Sequence, residues 1–130
     1  MLIVDETIYL AQNPWKAGRI PDPPALARTA AGPLEADLDR PEISILLGAR
    51  QTGKTTLLRE TARRALATGR TRPDLLHYLD LDTMRCEDVL ATNRSLIDFL
   101  GLGAGDRDAP RRIVLIDEVQ RLENPGLFLK

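Results

Sequence analysis

At 130 residues, 43% of them apolar and 28% charged, the chain suits one globular domain burying roughly two thirds of its unfolded surface, and this usage suggests neither disorder nor a membrane class. Its 18 basic and 19 acidic residues leave a net charge of -1, and two Phe, two Tyr and one Trp form no stacking platform, so nothing favours nucleic acid or anionic lipid. A single cysteine, Cys86, excludes an internal disulfide, and a single histidine, His77, leaves no Cys/His set for zinc.

The opening MLIVDETIYLAQ is short and apolar enough for a small strand or a helix, and its periodicity does not choose between them. Two acids come before any long apolar run, so a cytoplasmic location is expected. Pro14, Pro21, Pro23, Pro24, Pro33 and Pro41 then interrupt any long element, and residues 1–41 are expected to form a Pro-rich arm. One short helix fits Pro24 to Ala31, stopped by Gly32 and Pro33. Trp15 is either an anchor for this arm or an exposed loop aromatic.

Residues 42–130 are more regular. Ile43, Ile45, Leu46 and Leu47 form an apolar run ending in glycine, as a buried strand does. A helix is predicted from Lys54 to Ala67, with Leu57, Leu58, Ala62, Ala65 and Leu66 on one face and Gly69 as its stop. A second strand is predicted over Leu75 to Leu81, which makes His77 a satisfied structural histidine. Asp82 is placed to cap a helix over MRCEDVLA. Ser95 to Leu100 forms a further helical piece that Gly101, Gly103 and Gly105 end. The third strand is Ile113 to Ile116, leading into Asp117 and Glu118. Arg63-Arg64, Arg70-Thr71-Arg72 and Arg111-Arg112 fit solvated surface. Strands alternating with helices indicate an α/β fold with a parallel sheet.

GARQTGKTT, from Gly48 to Thr56, fits the phosphate-loop pattern G-x-x-x-x-G-K-[ST]. Gly48 and Gly53 let the loop wrap so that the backbone N–H groups of Ala49, Arg50, Gln51, Thr52, Gly53, Lys54, Thr55 and Thr56 can line a phosphate cradle. The following helix adds the partial positive charge of its N-terminus. Lys54 reaches the β- and γ-phosphates, and the Thr55 hydroxyl is offered to Mg²⁺. A chance match in a chain of this length has a probability of about half a per cent. The predicted strand before the motif and helix after it supply the context the loop requires.

Asp117 and Glu118 follow four apolar residues, at the C-terminal end of a predicted parallel strand where ligands bind in open α/β sheets. Asp117 suits Mg²⁺, held through a water, because this ion keeps several waters and takes few carboxylates. Glu118 can orient and deprotonate the attacking water. Taken alone, the pair could equally cap a following helix. With a second strand between loop and acids, the order matches P-loop ATPases that carry an additional strand and a catalytic glutamate. No N-K-x-D guanine motif occurs.

GARQTGKTTLL, YLDLD and LIDEVQRLENPGLFLK together resemble the prokaryotic AAA-type ATPases with a DUF4143 C-terminal region, whose ATPase part is the AAA_14 domain. The resemblance covers about residues 43 to 130 and is weak in the Pro-rich arm. It implies a three-layer α/β/α P-loop NTPase of the AAA/RecA-like additional-strand type, with ATP and Mg²⁺ as ligands. Gly48, Gly53, Lys54, Thr55 and Thr56 match Walker A, and Asp117 and Glu118 match Walker B. Arg50 fits the family loop in a bracing role, Gln120 matches D-E-x-Q and would tie the next helix to the site, and Asp80 and Asp82 match the acidic end of the second strand.

The family continues into a fourth strand with a polar sensor, a fifth strand and an arginine, so the resemblance implies a sheet incomplete at its C-terminus. A missing C-terminal region or self-association is expected to complete it. An arginine finger contributes about 10³ to 10⁵ in rate, so weak Mg²⁺-dependent ATP hydrolysis is expected of this chain. The alternative is a nucleotide-binding module without turnover.

Overall fold

The computed structural model of the chain describes residues 6–23, 31–40, 53–82 and 111–121. They form helices α1 (Glu6–Gln12), α2 (Ala31–Asp37) and α3 (Lys54–Ala67), strands β1 (Leu76–Asp80) and β2 (Ile113–Asp117), and single 3₁₀ turns at Pro14–Ala17, Pro73–Leu75 and Val119–Arg121. β1 and β2 pair. The Thr71 hydroxyl donates to the carbonyl of Arg111, and the Leu81 N–H to that of Asp117. These contacts advance in the same direction along both segments, so the pair is parallel and the fold is α/β.

The chain divides into two compact units. One comprises Met1–Asn13, Tyr78–Ala109 and Ile116–Lys130, and the other Pro14–His77 and Pro110–Leu115.

In the second unit, α3 spans the predicted range. Leu57, Ala62 and Ala65 are buried as its apolar spacing requires, and Glu60 and Thr61 are buried with them. The Thr61 hydroxyl satisfies itself on the Leu57 carbonyl at 2.8 Å. Glu60 accepts two bonds from Arg63, at 2.7 and 2.6 Å, and these hold its carboxyl below the usual range. Gly69, with φ +73°, ends the helix: its N–H returns to Leu66 and that of Arg70 to Ala65, the pairing that needs a left-handed residue just past the cap.

The helix expected at Pro24 to Ala31 is corrected in part. α2 starts at Ala31 and runs through Gly32 and Pro33, the residues expected to stop a helix; residues 24–30 lie outside the described set. Pro33 is tolerated because the N–H groups of a first helical turn have no intrahelical acceptor, so its missing donor costs nothing there. Glu35 of α2 pairs with Arg64 at 3.3 Å and Arg70 at 3.2 Å, and Arg70 also reaches Asp39. Arg111 donates to the carbonyls of Leu38 and Arg40. The basic residues expected at a solvated surface thus have intramolecular partners.

Trp15 is an anchor: it is 2% exposed, and its indole N–H donates to the Leu76 carbonyl at 2.9 Å. Nearby, His77 is buried in β1 and meets a guanidinium nitrogen of Arg112 at 3.1 Å through Nε2. Arginine can only donate, so Nε2 accepts and the ring proton sits on Nδ1. Burial first, then the Lys16 and Arg112 charges, lower the His77 pKa from 6.5 to about 4, with Asp74 opposing. The unfolded chain therefore binds the extra proton first as pH falls. The stability held at pH 7 is lost between about 6.5 and 4, by an amount of the order of 3 kcal/mol. Urea unfolding at pH 7 and pH 4.5 should show this loss, and His77→Gln should remove most of the pH slope in that window.

In the first unit, residues 1–5 lie outside the described residues, and α1 makes Glu6–Gln12 of the opening segment a helix. Asn13 closes it through N–H bonds to the carbonyls of Tyr9 and Leu10, and Pro14 cannot extend it. Asn13 is fully buried and acts as a strand neighbour: its Oδ1 accepts the Tyr78 N–H at 2.7 Å, and its Nδ2 donates to the carbonyls of Tyr78 at 2.9 Å and Tyr9 at 2.7 Å. The Gln12 side chain accepts the Asp80 N–H at 3.1 Å. Residues 78 and 80 point their backbone groups to the same edge of β1, so side-chain amides supply there what another strand would supply. The segment expected to be a peripheral arm is, at Asn13 and Trp15, fully packed.

Candidate functional site

α3 begins at Gly53, whose φ of 86° and ψ of 20° lie in the left-handed region that a side chain disfavours. The Gly53 carbonyl accepts the Leu57 N–H at 2.9 Å. Lys54 and Thr55 are half-buried and Thr56 is exposed in the first turn, where the helix dipole favours an anion. Gly53, Lys54, Thr55 and Thr56 thus occupy one helix start, while Gly48, Ala49, Arg50, Gln51 and Thr52 lie outside the described residues, as does the strand expected over Ile43 to Leu47.

The acidic pair sits at the end of β2. Ile113, Leu115 and Asp117 are buried and Val114 and Ile116 half-buried, the alternation of a pleated strand. This period places Asp117 on the more buried face, and it is 6% exposed. Both of its oxygens accept bonds: Oδ2 from the Tyr78 hydroxyl at 2.7 Å and Oδ1 from the Glu118 N–H at 3.0 Å.

Glu118 has φ +59°, which is rare for a residue with a side chain. Such a conformation costs of the order of 1 kcal/mol or more and persists where neighbouring bonds enforce it. Here the Arg121 N–H returns to the Glu118 carbonyl at 3.0 Å, and the Gln120 amide donates to the Glu118 carboxylate. Val119–Arg121 is a 3₁₀ turn, so the sharp left-handed step breaks the strand direction at the acidic pair. The expected tie from Gln120 falls on the Glu118 side chain itself. Asp82 is exposed, takes its N–H to Asp80 Oδ1 at 2.9 Å and pairs with Arg121 at 2.6 Å; the helix it was expected to cap lies outside the described residues.

Two residues bearing on this arrangement were not singled out as site residues by sequence, Asn13 and Tyr78. The strand alternation puts Tyr78 on the face opposite His77, which is a weak signal; nothing local marks Asn13, because its partner is 65 positions away.

Among the described residues, no helix is long and apolar enough to cross a membrane. Comparison with known families gives a match to the AAA_14 model, described as an AAA domain, over residues 40–130. No curated protein and no solved structure matches the chain significantly.

Proposed function

The chain belongs to the AAA_14 family of AAA domains, and from that membership we propose that it binds ATP with Mg²⁺ and hydrolyses it to ADP and phosphate. In this reading residues 48–56 form the phosphate loop of a P-loop NTPase with a three-layer α/β/α core. The observation that supports it most is Asp117, a buried carboxylate on the last residue of a parallel strand, the position where α/β sheets bind ligands.

Each residue then has one task. The loop N–H groups and the start of α3 bind phosphate oxygens, and Lys54 offsets charge on the β- and γ-phosphates. Thr55 and Asp117 would hold Mg²⁺, because one hydroxyl and one carboxylate suit an ion that takes few protein ligands. The ion would supply neutralisation of the charge that builds on the phosphate oxygens during transfer. Glu118 accepts a proton from the water whose oxygen attacks the γ-phosphorus, while the bond to the ADP oxygen breaks. The family and the chemistry of the acids together support these roles.

Lys54→Ala tests the ligand. The substitution removes a charge-assisted contact to phosphate and should weaken ATP binding by about ten- to a hundredfold in calorimetric titration. Thermal unfolding of the variant separates a loss of binding from a loss of folding. An ATP affinity that does not change on this substitution would remove the phosphate-loop reading altogether.

A further inference from the structure

We infer that Tyr78 is a positioning residue for Asp117, and that Asn13, outside the segment matched by the family model, fixes Tyr78 in turn. The inference rests on the proposed role of Asp117 toward Mg²⁺. Its basis is a continuous chain of buried bonds within one compact unit. Tyr78 is 1% exposed and Asp117 6%, and the phenol donates to Asp117 Oδ2 at 2.7 Å. A hydroxyl at this distance from a carboxylate makes a charge-assisted bond, stronger and more directional than a neutral one.

The opposite oxygen is fixed by the Glu118 N–H, so the carboxylate plane is held from two sides. Rotation about the last side-chain bond of an aspartate is otherwise broad. The phenol can only do this while the Tyr78 backbone is still, and Asn13 bonds both its N–H and its C=O. Groups that hold a metal ligand by a second bond typically change metal affinity or activity by about 10- to 100-fold when removed. The consequence is specific: Asn13 contributes to metal binding through Tyr78.

The test uses Mn²⁺ as a paramagnetic probe, titrated into the full chain carrying a non-hydrolysable ATP analogue and followed by electron paramagnetic resonance. Tyr78→Phe should weaken Mn²⁺ binding by about tenfold, with metal-free binding of the analogue unchanged. Asp117→Asn is the reference and should weaken Mn²⁺ at least as much. If Asp117→Asn weakens Mn²⁺ and a folded Tyr78→Phe does not, the positioning role is overturned while the metal assignment stands. If Asp117→Asn has no effect, the assignment of Asp117 itself fails and takes this inference with it.

A second measurement covers the case in which Tyr78→Phe does not fold. In a Tyr9→Phe background with ring ¹³C-labelled tyrosine, the nuclear magnetic resonance signal of the phenol reports Tyr78 alone, since the chain has two tyrosines. Mg²⁺ added to the analogue complex should shift that signal in the otherwise native chain, and a signal unmoved by Mg²⁺ overturns the coupling.

Discussion

Trp15→Ala is expected to lower the unfolding free energy by about 4 kcal/mol, the range found when a large buried aromatic is truncated. Two separable terms lie behind the figure. The indole is almost wholly buried, so its removal leaves a cavity, and its N–H satisfies the Leu76 carbonyl, so the same change orphans a buried acceptor. Trp15→Phe keeps most of the packing and isolates the second term, which should cost about 1 to 3 kcal/mol. Urea unfolding monitored by circular dichroism measures both variants. A loss below about 1 kcal/mol for Trp15→Ala would mean that the segment around it is peripheral after all, because exposed aromatics cost little to remove.

That expectation departs from the composition of residues 1–41, where six prolines argue against a packed element. The inference from proline is sound for long elements, yet it is silent on single side chains. One turn of 3₁₀ helix at Pro14–Ala17 suffices to bury Trp15, and proline suits the start of such a turn because it needs no donor there. The same logic explains Pro33 in the first turn of α2. Proline reports which hydrogen bond is missing; only the tertiary environment decides whether that bond was needed.

Where local chemistry was decisive, residues and structure agree closely. α3 was bounded by Gly53 and Gly69, both of which adopt positive φ, and of its predicted apolar face Leu57, Ala62 and Ala65 are buried while Leu58 and Leu66 are half-buried. β2 was legible as four apolar residues ending in acid, and the acidic pair falls at its end. Three features were not legible. Asn13 pairs with Tyr78 65 positions away, and no local pattern encodes an amide that substitutes for a strand. Glu60 is apolar-facing by helical spacing, but its burial depends on arginines that satisfy it. The left-handed turn at Glu118 runs against residue preference, so a rule based on preference would have placed glycine there.

The strain at Glu118 bears on the hydrolysis proposed for this chain. Backbone conformations of this kind cluster where a side chain must be aimed, and the bonds from Arg121 and Gln120 hold the residue against its preference. Glu118→Gln preserves size and the capacity to accept the Gln120 bond, and it removes the basic oxygen. In single turnover with Mg·ATP the expected result is a rate lowered by about 10² to 10⁴, the usual contribution of a general base, with ATP affinity unchanged. Affinity must be retained for the result to count, because a variant that no longer binds would look the same in a turnover assay. Tight ATP binding with a hydrolysis rate indifferent to Glu118 would instead make the chain a nucleotide-binding module, and the strained turn would then serve only to reverse the strand. The two outcomes differ in one quantity, the dependence of the bond-breaking step on a single carboxylate, so rapid-quench measurement of wild type and Glu118→Gln side by side decides between them.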